Sequence, residues 1–289
     1  PPDRPARRRT QLTDPAPAMR PHSADSARPR YAVLGRTIAA DRVLAGLPLA
    51  KAGSPAPLLP LAIRDATPAD RTPLAHASGR VVVDATLTLA LAPADDGRLL
   101  LDVSDTGRWT IGTDALALAL HPGADPRAVA LDLVGHAVPL ALHSAGIRTL
   151  HAAAVGTDRG ALVLVAPRGV GKSTLAAACA ATGAPLAADD AVAVLWHHGR
   201  PQLLPATLPL RLRPDAADAL DLEGDDDGWG KRRVALPTAG DAPLPLAAIA
   251  ILAPGAGDAP LVVEALPARA AAAHLAAAWK LAPLLGPAD

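Results

Sequence analysis

The chain of 289 residues has no phenylalanine, one tyrosine (Tyr31) and one cysteine (Cys179). A single cysteine excludes an intramolecular disulfide, and Cys179 reads as a small apolar residue within a helix. No apolar run reaches the roughly 18 residues of a membrane span. No charged segment followed by an apolar one marks a secretion signal. The expectation is a cytoplasmic protein without a membrane partner. Formal net charge is zero, so no global basic field points to nucleic acid. Lysine is scarce and occurs only at Lys51, Lys172, Lys231 and Lys280. Half of the residues are hydrophobic, which supplies a core for one large or two modest domains.

Composition changes along the chain. Residues 1–30 are rich in Pro, Arg, Ala and Ser, carry Arg7-Arg8-Arg9, and predict a disordered tail. Residues 31–147 predict a β-rich, antiparallel N-terminal module. Its strands are Tyr31–Gly35, Arg36–Ala40, Val81–Leu89, Arg98–Val103, Arg108–Ile111 and Ala115–Leu120, separated by Asp/Gly/Pro turns. Asp125 at the N-cap and Pro126 behind it start a helix to about Gly146, which Pro139 should kink or split. Residues 148–289 predict an α/β domain. Its expected strands are Thr149–Val155, Ala161–Val165, Leu186–Leu195, Pro209–Arg213, Leu246–Leu252 and Leu261–Glu264. A helix is expected from Ser173 to about Thr182, closed by Gly183, and an Ala-rich one from Arg269 to about Leu285. Asp225 to Gly230 reads as a flexible acidic loop.

The most specific signal is Ala166-Pro167-Arg168-Gly169-Val170-Gly171-Lys172-Ser173-Thr174, between an apolar strand and a helix. This is the context of a P-loop, whose backbone N–H groups and helix N-terminus favour a polyphosphate. Lys172 would reach the β/γ-phosphates and the Ser173 hydroxyl would ligate Mg²⁺. Ala166 stands where the pattern has glycine, a replacement that is tolerable if its φ stays negative. The motif predicts ATP or a related nucleotide. Downstream, Asp189-Asp190 supplies two adjacent carboxylates. Phosphoryl transfer to a hydroxyl needs one group to orient or deprotonate the acceptor and one to hold metal.

His151, the loop and the Asp pair together resemble the catalytic half of the bacterial HPr kinase/phosphorylase family. His151 lies fifteen positions before Ala166, and Asp189 lies seventeen after Lys172. The resemblance is strong over about residues 148–195 and weaker beyond. Tyr31-Ala-Val-Leu-Gly35 with Leu44-Ala-Gly-Leu-Pro48 is similar to shorter HPr-kinase-related proteins, several of which sit in lasso-peptide and other ribosomal-peptide clusters. The family's Glu-Ile-Arg-Gly element has Arg211-Leu212-Arg213-Pro214 as its nearest counterpart, without the glutamate.

The resemblance implies a P-loop, HPr-kinase-like (PEP-carboxykinase-like) α/β domain behind a small β-rich module. It implies a homo-oligomer and an ATP- and Mg²⁺-dependent kinase acting on a serine of a peptide or small protein, foremost a lasso-type precursor. Arg168, Gly169, Val170, Gly171, Lys172, Ser173 and Thr174 would hold the phosphates. Ser173 and Asp189 would hold the metal, Asp190 is the preferred acceptor-side group, and His151 would lie near the γ-phosphate or metal. Arg211, Arg213, Lys231, Arg232 and Arg233 are candidate substrate contacts. A nucleotide-binding regulator or pseudo-kinase, and a kinase of a small-molecule hydroxyl, are the alternative readings.

Overall fold

The computed structural model describes residues 28–54, 56–74, 77–83, 87–206, 208–253 and 262–285. The expected tail lies outside the described residues up to position 27; Pro29 and Arg30 already belong to the fold, because Ala40 N–H donates to the Pro29 carbonyl.

The protein is mixed α/β. Its first sheet contains β1 (Arg30–Val33), β2 (Arg36–Ala40), β3 (Leu58–Asp65), β4 (Gly79–Val82), β5 (Thr88–Pro93), β6 (Leu99–Val103), β7 (Gly107–Ile111) and β8 (Leu116–Leu120). The strand order is β1-β2-β3-β8-β7-β6-β5-β4. Alternation explains the buried face: Leu59, Leu61 and Ile63 on β3, Leu101 and Val103 on β6, and Trp109 and Ile111 on β7 all point inward. The sheet is not wholly antiparallel as predicted, since β3 runs parallel to both β2 and β8. The apolar run Val81–Leu89 is not one strand either. It contributes to β4 and β5, which pair antiparallel with Val82 opposite Thr88.

A helical layer follows. α1 (Pro126–Asp132) starts at Asp125, whose carboxylate accepts the Arg127 N–H at 2.8 Å. Five residues of wider, π-type turn (Leu133–Ala137) lead into α2 (Val138–Ser144). Pro139 explains the break, because its missing N–H and its ring disrupt the regular turn before it. Val129, Leu133, Val134, Leu140 and Leu142 bury this layer in a core shared with the first sheet and with much of the second.

The second sheet contains β9 (Arg148–Leu150), β10 (Ala152–Thr157), β11 (Gly160–Val165), β12 (Leu186–Ala188), β13 (Val192–His197), β14 (Arg200–Leu204) and β18 (Leu244–Ile251). Its order is β12-β10-β11-β18-β14-β13-β9. α3 (Lys172–Ala181) lies against it and buries Ala176, Ala177 and Ala180; Cys179 is only partly buried there. A small sheet of β15 (Leu210–Leu212), β16 (Asp225–Asp226) and β17 (Arg232–Val234), with α4 (Pro214–Ala219), flanks α3. The expected terminal helix is two, α5 (Ala268–Ala277) and α6 (Ala282–Leu285). Pro283 cannot continue a regular helix, and residues 278–280 pair with the edge of β9 instead. Val262–Glu264 form no strand and are exposed. No helix among the described residues is long and apolar enough to cross a membrane.

Two long runs of chain position the site. Arg148–Thr157 and Leu186–His197 pair antiparallel on both sides of a break, with Leu150 opposite Val192 and Ala154 opposite Ala188. Each was expected to be one strand. Each is interrupted at the same level, where the sheet divides, and the interruptions hold His151 on one run and Asp189-Asp190 on the other.

Candidate functional site

β11 is an interior strand, antiparallel to β10 and parallel to β18. The chain leaves it at Val165, makes a loop and enters α3. Gly169 and Gly171 take φ of 87° and 107°, which side-chain-bearing residues rarely adopt. Ala166 is not among the residues with positive φ, so alanine is compatible with its place. No backbone carbonyl of the described residues accepts the N–H groups of Gly169, Gly171, Lys172, Ser173 or Thr174. These are donors of a helix N-terminus, oriented as an anion site requires. Arg168 is exposed on the loop and Val170 is half-buried.

Lys172 is 6% exposed. Its Nζ donates to the Ala166 carbonyl at 2.8 Å and the Pro167 carbonyl at 3.2 Å, so the side chain curls back over its own loop. Burial lowers its pKa, against the opposing influence of Asp189 and Asp190.

The Asp pair closes the site. Ser173 Oγ donates to Asp189 Oδ1 at 2.8 Å. Asp190 adopts φ 65°, unusual for a non-glycine residue, and its carboxylate meets two cations or potential cations. His151 Nδ1 lies 3.2 Å from Asp190 Oδ1, and Lys280 Nζ lies 2.8 Å from Asp190 Oδ2. The two carboxyls are driven apart in acidity. Burial, then the neighbouring Asp190 charge, raises Asp189 to about 6. Burial also pushes Asp190 upward, but Lys280 and His151 outweigh it and hold that group well below the usual carboxylate range. Such a split gives one carboxyl able to exchange a proton near neutrality and one that stays charged.

Lys280 is the site residue that sequence reasoning missed. Lys280 N–H donates to the Thr149 carbonyl and His151 N–H donates to the Ala278 carbonyl, so a short stretch between α5 and α6 is stitched to β9. That pairing brings a residue 90 positions away onto Asp190. The scarcity of lysine in this chain was the only available hint.

The basic candidates separate. Arg211 and Arg213 were expected on one face of a strand, but β15 ends at Leu212 and Arg213 caps α4, exposed and paired with Asp215 at 3.1 Å. Arg211 donates to Asp227, which is 1% exposed. Asp227 also accepts the N–H groups of Trp229 and Lys231, so Asp225–Gly230 is organised around a buried carboxylate rather than being a loose acidic loop. Lys231 follows it, and its charge pulls the pKa of Asp189 and of Lys172 downward. Arg232 pairs with Asp218 at 2.5 Å. Arg233 lines a cleft with Arg211 and Arg127.

Loop N–H groups without a backbone acceptor, a lysine, a hydroxyl beside a carboxylate, and a second carboxylate held by His151 and Lys280 therefore converge at one break in the sheet. Among the described residues no group of three or more His, Cys, Asp and Glu gathers to cage a metal. Ser173 Oγ and Asp189 are hard oxygen donors of the kind Mg²⁺ takes. No family model, curated protein or solved structure matches the chain.

Proposed function

We propose that the chain is an ATP-dependent serine kinase with an HPr-kinase-like (PEP-carboxykinase-like) P-loop domain. One observation carries the reading. His151, the Lys172–Ser173 loop end and Asp189-Asp190, dispersed over 39 positions, converge through Ser173–Asp189 and His151–Asp190 contacts of 2.8 and 3.2 Å.

The loop N–H groups and Lys172 would bind the β- and γ-phosphates, Lys172 exchanging its bonds to its own loop carbonyls for phosphate oxygens. Ser173 and Asp189 would hold Mg²⁺, whose charge offsets that of the transferring phosphoryl group. Asp190, kept charged by His151 and Lys280, would orient the acceptor hydroxyl. The hydroxyl oxygen would form the new bond to the γ-phosphorus as the bond to the departing ADP oxygen breaks, and the hydroxyl proton would leave to solvent. Positioning and charge supply the catalysis, since little covalent chemistry falls to the protein in phosphoryl transfer. The acceptor is proposed to be a serine in a peptide or small protein, foremost a ribosomal natural-product precursor.

The test is transfer from γ-labelled ATP with Mg²⁺ to precursor peptides encoded nearby, an HPr-type carrier and free serine. Labelling of one acceptor by the wild type, lost in Asp190→Asn with nucleotide binding retained, supports the reading. Nucleotide binding without transfer to any acceptor replaces it with a regulator; labelling of free serine alone replaces it with a small-molecule kinase.

A further inference from the structure

A second site lies behind the Asp227 loop. Ala45-Gly46-Leu47, α1 and the segment leading into β15 line a cleft of about 50 Å³. Its floor is apolar and includes Leu47, Leu131 and Leu208. Its rim carries Arg127, Arg211, Arg233 and the Trp229 ring.

The three arginines differ in their partners. Arg127 is paired with Asp125 at 2.9 Å, and Arg211 with Asp227 at 2.6 Å. Both lie over the Trp229 ring, 5.2 and 5.7 Å from its centroid. Arg233 has no carboxylate partner among the described residues, and its buried Nε has no hydrogen-bond acceptor. A buried donor without an acceptor costs stability, and the guanidinium that carries it lines the cleft. The backbone at Gly46 is close to this group: a Cβ built there would lie 3.5 Å from the Arg233 guanidinium. With Arg127 matched by Asp125 and Arg211 by Asp227, Arg233 is the cation of the three left without a carboxylate among the described residues.

The cleft and the phosphate loop share neighbouring elements. β15 carries Arg211, which lines the cleft, and packs against α3, which starts at Lys172.

We infer that this cleft binds the acceptor peptide through an apolar side chain on the leucine floor and an adjacent carboxylate on Arg233. The inference rests on the kinase reading for the word acceptor, but the binding event is separable from it. The occupant is an acidic–apolar peptide rather than a free anion, because an isolated anion would leave the leucine floor wet.

The experiment uses the full chain and two fluorescent, end-blocked peptide pools. One holds an apolar residue followed by Glu, the other the same residue followed by Gln, with other positions randomised. Fluorescence polarisation is read for the wild type, Lys172→Ala, Arg233→Gln and Trp229→Ala, the last being a half-exposed side chain whose loss spares the core. The expected result is saturable binding of the Glu pool, roughly tenfold weaker for the Gln pool and for Arg233→Gln, weakened in Trp229→Ala, and unchanged in Lys172→Ala. Competition by inorganic phosphate alone, with no preference for Glu over Gln, would overturn it in favour of a simple anion site. Equal binding by wild type and both cleft variants, or no binding of either pool, would also overturn it. Transfer activity that survives while cleft binding fails refutes this inference and leaves the kinase; Glu-pool binding without transfer does the reverse.

Discussion

Replacing Asp189 by asparagine should make the protein more stable and less active. Asp189 is part-buried beside Asp190, and its carboxyl is raised from an ordinary 3.8 to about 6. A shift of that size corresponds to about 3 kcal/mol, which partial exposure screens to about 2 kcal/mol. Because the folded-state value is raised, ionisation favours the unfolded chain. The penalty is negligible below the unfolded value near 4, grows as pH rises through about 4 to 6, and is complete above the folded value. Asparagine removes the charge and keeps an oxygen to accept the Ser173 hydroxyl. In urea unfolding of the metal-free protein, Asp189→Asn should exceed wild type by about 2 kcal/mol at pH 8 and by about 0.5 kcal/mol at pH 4. Phosphoryl transfer should fall by roughly 100-fold or more, because a neutral amide is a poor magnesium ligand. A gain that does not vary with pH, or a loss of stability at pH 8, would refute the reasoning.

Other outcomes follow from single contacts. Lys280→Met removes the cation that Asp190 meets at 2.8 Å; the Asp190 pKa should rise, and the acidic limb of the rate–pH profile should move to higher pH, with Lys280→Arg restoring it in part. Gly171→Ala places a side chain at φ 107° and should cost about 1–2 kcal/mol in thermal unfolding, with weakened nucleotide binding measured by calorimetry. Trp109 is fully buried, and its indole N–H has no acceptor among the described residues. Trp109→Phe should therefore change stability by only about 1 kcal/mol, whereas Trp109→Ala should cost about 3–5 kcal/mol, both read by urea denaturation.

What could be read from the sequence was local. The P-loop strand, its glycines and the start of α3 are contiguous, and Asp125-Pro126 carries its own helix-start chemistry. The proximity of His151 and Asp189-Asp190 to that loop came from spacing matched to a family pattern, and the geometry brings them together. Non-local pairing was hidden. β3 alternates well, but its parallel alignment with β2 and β8 is decided by distant partners. Thr149–Val155 and Leu186–Leu195 read as single strands because apolar patterning does not register a division of the sheet. Lys280 escaped notice because its role depends on backbone pairing of residues 278–280 with β9, while its own neighbourhood reads only as an Ala-rich helix. Arg233 was seen as one of a basic trio, although its distinction from Arg232 lies in which carboxylate each can reach.

Titration of ATP into the full chain by calorimetry, with and without Mg²⁺, tests the central claim most directly. The account predicts saturable binding by the wild type, strengthened by Mg²⁺, lost in Lys172→Ala and insensitive to Mg²⁺ in Asp189→Asn. No binding by the wild type, or binding that Lys172→Ala leaves unchanged, would contradict the assignment of this loop as a nucleotide site.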